Sequence, residues 1–190
     1  MDRSVKDKNV LNSFVSDFVA VLDAQKIRYI IVSGFVAIAH GRRRGTEDID
    51  LIAERIPAEK FILLHAALLR AGFECVQESN PQKLYSDYLA DNLSLRYVRK
   101  GTFVPEMEFK LAKDELDEMQ LHERVKLPLT GLPFWFSSIE TNIAFKEELL
   151  KSEKDMEDSK HLRIIYSEKI DEGKIRKYKN LIRRLRLGGA

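Results

Sequence analysis

The chain has 190 residues, 44% of them hydrophobic and 33% charged, which is enough for one good-sized domain and excludes disordered and fibrous classes. With 32 Lys and Arg against 30 Asp and Glu, the formal net charge of +2 does not select nucleic acid as a partner, and any basic surface is local. Cys75 is the one cysteine, so an internal disulfide and multi-cysteine metal sites are excluded. No apolar run reaches the roughly 18 residues of a membrane span, and the opening MDRSVKDKNV lacks the apolar stretch of a secretory leader, so the expected compartment is the cytoplasm, with no membrane partner.

Leu11, Phe14, Val15, Phe18 and Leu22 recur at helical spacing and predict an amphipathic helix over 10–25. Tyr29-Ile30-Ile31-Val32 is short and largely β-branched, and reads as a strand buried on both faces that ends at Ser33-Gly34. A short helix from Phe35 to His40 leads into the glycine-bracketed loop Gly41 to Thr46, after which Asp48 to Ile52 forms a second strand. Pro57 opens a helix to about Ala71 with Phe61, Leu64 and Leu68 as its stripe. The stretch 72–93 gives no clear pattern. Residues 93–98 and 103–110 flank a polar turn at Arg99 to Thr102 and predict a β-hairpin.

Two prolines and a glycine between Leu127 and Pro133 mark a boundary, giving an expected sheet-bearing domain over 1–127 and a helical region over 134–190. Ser137 and Glu140 form a capping-box pattern for a helix over 138–150, followed by helices over 155–168 and 174–187. The last helix carries seven basic residues and no acidic one. It reads as a docked helix with a solvated basic face, with RNA binding as the alternative. His40 and His65 read as structural, and Trp135 as core or as a plug between the two parts.

Strand side chains alternate, so Asp48 and Asp50 share one face while Ile49 and Leu51 point into the core. Two carboxylates side by side repel unless a cation lies between them, and Mg²⁺ takes such hard oxygen ligands in phosphoryl and nucleotidyl transfer. A third carboxylate is expected from a neighbouring strand. Glu108 is the first candidate, because Met107 and Phe109 point the other way, and Glu106, on the same face, is the second. On helical spacing Lys146 interrupts the apolar stripe of Ile139, Ile143 and Leu150; it either snorkels to solvent or reaches a phosphate.

These residues resemble the nucleotidyltransferase superfamily of polymerase-beta type, and most of all the small prokaryotic branch with the AbiEii-like toxins and DUF6036-type proteins. The family pattern is a strand, a glycine step, a short helix ending His-Gly, then G-x-x-R-x-T-x-D-h-D. Val32-Ser33-Gly34-Phe35, His40, Gly41, Arg44, Thr46, Asp48 and Asp50 stand at those places, although Ser33 precedes the glycine rather than following it. Lys146 and the run Lys154-Asp155-Met156-Glu157-Asp158 match the lysine and acidic motif of the branch's helical tail. The resemblance implies an α/β (α+β) nucleotidyltransferase fold, a small mixed sheet with flanking helices and a helical C-terminal part. It implies an enzyme moving an NMP from an NTP, ATP by expectation, to a hydroxyl of RNA such as tRNA, of a protein or of a small molecule. Asp48, Asp50 and Glu108 would bind Mg²⁺ in a two-metal site, and Ser33, Gly34, Arg44, Thr46 and Lys146 would bind the nucleotide. A toxin-antitoxin setting with an antitoxin partner is included, and the alternative is a catalytically silent nucleotide-binding or regulatory protein of the same fold.

Overall fold

The computed structural model describes residues 3–43 and 45–188, with side chains from Val10 onward. Helix α1 (Arg3–Ala24) buries Phe14, Val15, Phe18 and Leu22, as their spacing requires. Strand β1 (Tyr29–Ile31) is buried throughout, and the short helix α2 (Gly34–Ala39) follows it. Then come β2 (Asp48–Ala53), α3 (Ala58–Arg70) and β3 (Phe73–Cys75). The unpatterned stretch holds β3 and α4 (Pro81–Leu84), which Asn80 caps by accepting from the amides of Gln82 and Lys83 and which runs on as a π-helical turn over Tyr85–Leu89.

Strands β4 (Leu95–Arg99) and β5 (Glu106–Leu111) form the expected antiparallel pair. Strand β5 starts three residues later than the hairpin reading, since Pro105 lacks a ladder donor, and Phe103 and Val104 are left exposed. Helix α5 (Glu115–His122) was not foreseen, because its sequence is mostly polar and only Leu116 and Leu121 are buried hydrophobics. Its N-terminus is set by Asp114, whose carboxylate accepts from the amides of Leu116 and Asp117.

The five strands lie in the order β1-β2-β5-β4-β3, with β2 and β5 parallel and every other pair antiparallel. Odd-numbered residues of the central strands, among them Ile49, Leu51, Met107 and Phe109, enter the main core with the aromatic and aliphatic stripes of α1 and α3. Even-numbered residues face the other way. There Ile30 and Ile52 join Ala112 and Leu121 in a small second cluster beneath α5, and the rest of that face is polar.

The segment 134–137 runs along β1, with the Ile31 amide donating to the Trp135 carbonyl at 2.9 Å and the Ser137 amide to the Ile31 carbonyl at 3.2 Å. Trp135 is half-buried, its ring covered by the guanidinium of Arg124 and the ammonium of Lys126. The cap of α6 (Ile139–Phe145) is Ser138, not Ser137, and the helix widens into a π-helical turn over Lys146–Leu150. Helices α7 (Glu153–Ile165) and α8 (Glu172–Arg186) complete the fold. The basic residues of α8 divide: Lys174 meets Glu123 at 3.0 Å, Lys179 meets Glu147 at 2.7 Å, Arg183 meets Glu148 at 2.8 Å and Arg186 meets Asp114 at 2.7 Å, while Arg176, Lys177, Arg183 and Arg184 are exposed to solvent. The helix is thus docked through part of its basic set, and the rest faces solvent. Among the described residues no helix is long and apolar enough to cross a membrane.

Candidate active site

The parallel register of β2 and β5 sets Asp48 opposite Glu106 and Asp50 opposite Glu108. Alternation then brings all four carboxylates to the polar face, so both candidates for the third carboxylate stand beside the Asp-x-Asp pair. Each pair has a cation from the sheet itself. Arg96 of β4 lies 3.7 Å from Glu106, and the ammonium of Lys110 lies 3.2 Å from Asp50 Oδ1 and 3.5 Å from Glu108 Oε1. The Ser94 hydroxyl donates to Glu108 Oε1 at 2.7 Å.

The ionisation follows from this packing. Burial, with the charge of Glu108 added, pushes the Asp50 carboxyl up against the opposing pull of Lys110. Burial acts on Glu108 in the same sense, but the Ser94 hydroxyl and the Lys110 ammonium outweigh it and hold Glu108 below the usual carboxylate range. Glu106 is pushed up by burial and by Asp48, against Arg96. Burial would depress Lys110, yet Asp50 and Glu108 together hold its ammonium above its ordinary value.

Strand β1 brings the glycine turn to the same place, since the Val32 amide donates to the Asp50 carbonyl at 3.0 Å. Ser33, next in the chain, has φ 62° and ψ −134°, a backbone region that side-chain-bearing residues rarely adopt. Gly41, at φ +89°, turns the chain out of α2 into the loop. The Thr46 hydroxyl donates to the Asp48 carbonyl at 2.9 Å and fixes the entry into β2. Arg44, expected to contact nucleotide, lies outside the described residues.

Lys146 does not snorkel. Its side chain is 1% exposed, and its ammonium donates to Asp155 Oδ1 at 3.1 Å and Asp158 Oδ2 at 2.9 Å. Asp158, fully buried, also accepts from Arg42 Nε at 2.7 Å, and the Arg42 guanidinium reaches Glu157 as well. Arg42 thus ties the loop ahead of β2 to α7. His40 is held the same way. Its Nδ1 stands 2.7 Å from the Val36 carbonyl, its Nε2 stands 2.7 Å from the Tyr166 hydroxyl, and its carbonyl lies 3.1 Å from His161 Nε2. His65 packs structurally against Tyr97, with their polar atoms 2.8 Å apart.

A cleft of about 210 Å³ lies between the polar sheet face and the C-terminal helices. Ser33, Asp50, Lys110, Asn142, Lys146 and Arg186 are among its lining residues, whereas Asp48, Glu106 and Glu108 stand outside its wall. The strand carboxylates fit a divalent cation by their hard oxygens, and the Lys110 ammonium shows Asp50 and Glu108 holding a positive charge between them. Among the described residues no three His, Cys, Asp or Glu side chains are gathered as a ready-made metal cage. Of the residues not foreseen, Lys110 was within reach, because the period of two that selects Glu108 selects it too. Ser94 and Arg42 depend on contacts 14 and 116 residues apart in the chain and carry no local signal.

No protein-family model matches the chain, and no curated protein matches it in sequence. Solved structures do match in fold. The solution structure of the antibiotic-resistance factor ANT(2'')-Ia aligns over 95% of this chain and 95% of its own, at 15% identity and a TM-score of 0.57. A crystal structure of ANT(2'')-Ia in complex with adenylyl-2''-tobramycin aligns over 92% and 98%, at 16% identity and a TM-score of 0.56. The fold is that of the nucleotidyltransferases: a five-stranded mixed sheet with eight helices among the described residues.

Proposed function

We propose that the chain is a Mg²⁺-dependent nucleotidyltransferase that moves an NMP from an NTP, ATP in the first instance, to an acceptor hydroxyl. The observation that carries this reading is the in-register placement of Asp50 and Glu108 on adjacent parallel strands, with Asp48 on the same face and the Ser33 turn hydrogen-bonded alongside. That is a set of hard oxygens at the edge of a cleft large enough to admit part of a nucleotide. Asp48, Asp50 and Glu108 would hold Mg²⁺, which supplies charge neutralisation for a triphosphate when bound. Glu108, kept ionised by Ser94, is suited to take the proton of the acceptor hydroxyl. Ser33, Gly34, Thr46 and Arg44 are assigned to the nucleotide on the motif resemblance. Lys146 is assigned to the triphosphate because it lines the cleft, with Asp155 and Asp158 fixing its position.

The test is transfer of label from α-labelled ATP, CTP, GTP and UTP, taken in turn, into the RNA, protein and small-molecule fractions of a cell extract. The parent chain should label one fraction. Asp48→Asn with Asp50→Asn should reduce that labelling at least about a hundredfold with an unchanged circular dichroism spectrum. Undiminished labelling by the double variant would refute the assignment. A second reading, a silent nucleotide-binding or regulatory protein, is favoured by the two cleft lysines already being engaged by carboxylates. It predicts calorimetric binding of ATP with Mg²⁺ and no labelled product from any of the four nucleotides.

A further inference from the structure

We infer that Lys110 is a built-in cation of the carboxylate site, and that its ammonium and a divalent metal ion compete for the space between Asp50 and Glu108. The inference rests on the reading above of those two residues as metal ligands, and adds that metal enters only as Lys110 leaves.

Three features of the structure lead there. First, Lys110 is two residues after Glu108 and therefore on the same face of β5, and its ammonium touches both carboxylates rather than one. A cation bonded to Asp50 Oδ1 and Glu108 Oε1 would meet that ammonium directly, and like charges at such range repel. Second, Glu108 does not depend on Lys110 for its position. The Ser94 hydroxyl holds the same Oε1 at 2.7 Å, so the carboxylate stays in place when the lysine moves away. Third, Lys110 has somewhere to go. Its side chain is 35% exposed and lines the cleft, and a flexible four-carbon stem lets the ammonium swing into that space. An ordinary exposed ion pair has none of these consequences, because its loss would leave metal affinity unchanged.

The site therefore never presents two bare carboxylates in the absence of metal. Lys110 neutralises them, and a metal ion must displace a tethered competitor before it binds. Arg96 plays no such part for Asp48 and Glu106, since it stands farther from Glu106, at 3.7 Å, on a strand beyond β5.

The experiment measures Mn²⁺ binding to the full chain by the loss of the free-ion electron paramagnetic resonance signal, with no nucleotide present. Lys110→Met should bind Mn²⁺ at least about tenfold more tightly than the parent, because the competitor is gone. Lys110→Arg, which keeps a cation, should stay within about threefold of the parent. The gain should vanish in Asp50→Asn/Lys110→Met. Should Lys110→Met fail to fold by circular dichroism, Lys110→Gln replaces it with the same expectation. Unchanged or weaker Mn²⁺ binding in the neutral variant, while Asp50→Asn still weakens the parent, would overturn the inference and leave the site reading standing. Mn²⁺ binding that ignores Asp50→Asn in every background would overturn the site reading and the inference with it.

Discussion

Two residues carry the least ordinary physical chemistry of the molecule, Ser33 and Asp158. Ser33 sits at φ 62°, ψ −134°, where a β-carbon is crowded and glycine is not, at a cost on the order of 1–3 kcal/mol. Glycine in its place removes that strain but adds about 0.5–1 kcal/mol of chain entropy to be lost on folding. Ser33→Gly is therefore expected to stabilise the fold by about 1 kcal/mol, and Ser33→Ala, which keeps the crowding, to give no gain. Urea unfolding of both variants checks this, and a Ser33→Gly protein less stable than Ser33→Ala would refute the strain. Asp158 is fully buried between two cations, Lys146 and Arg42, that come from different parts of the chain. Removing its charge leaves the buried Lys146 ammonium with Asp155, which is partly exposed. Asp158→Asn should cost about 3 kcal/mol in the same measurement. Asp155→Asn should cost clearly less, and equal losses would show that the two carboxylates share the lysine evenly.

At the scale of elements, the most buried tie between the C-terminal helix and the start of α5 is made by one arginine. Arg186 meets Asp114 at 2.7 Å and Asp117 at 2.8 Å, and Asp117 is nearly buried. Burial pushes the Asp117 carboxyl up, and Arg186 is the main influence opposing it. In Arg186→Met the carboxyl moves further up, so ionised Asp117 becomes a burden of about 3 kcal/mol at pH 7. A carboxyl raised in the folded state favours folding once it is protonated, so this penalty shrinks as the pH falls through the raised value toward the unfolded value of about 4. Unfolding free energies of parent and variant at pH 7 and pH 4 should differ by much less at the lower pH, and an equal difference would refute the role given to Arg186. The same elements show what the sequence made legible. Helices α1 and α3, strand β2 and the common face of Asp48, Asp50 and Glu108 followed from local periodicity, and β1 from an unbroken apolar run that is buried throughout. Helix α5 did not, since it buries two leucines among polar residues, and neither did the Asp158 cluster, whose partners lie 12 and 116 residues away in the chain. For Lys146 periodicity gave the place on an apolar stripe but left snorkelling and phosphate contact open, because the two carboxylates that hold it come from the next helix.

For the whole molecule the question is whether the sheet part and the helical tail behave as two units. The proline-rich stretch before residue 134 suggests a boundary, and the division into 1–127 and 134–190 follows the change from strands to helices. The packing crosses it. The segment 134–137 hydrogen-bonds to Ile31, the Phe35 and Phe134 rings lie 6.4 Å apart, and a single core cluster runs from Phe14 and Phe18 through Phe136 to Ile143, Leu162, Tyr178 and Ile182. Arg42 and His40 add polar ties from the loop ahead of β2 to α7 and to Tyr166 just beyond it. Neither part keeps its apolar surface covered without the other, so unfolding should be all-or-none. Scanning calorimetry of the full chain should give one transition whose calorimetric and van't Hoff enthalpies agree, near 130 kcal/mol by the usual scaling of about 0.7 kcal/mol per residue. Two resolved transitions, or a calorimetric enthalpy well above the van't Hoff value, would mean that the tail is an independent unit. In that case the cleft between sheet and tail is an interface that can open, and the sharing of that cleft by Lys146 and Asp50 is conditional on its closure.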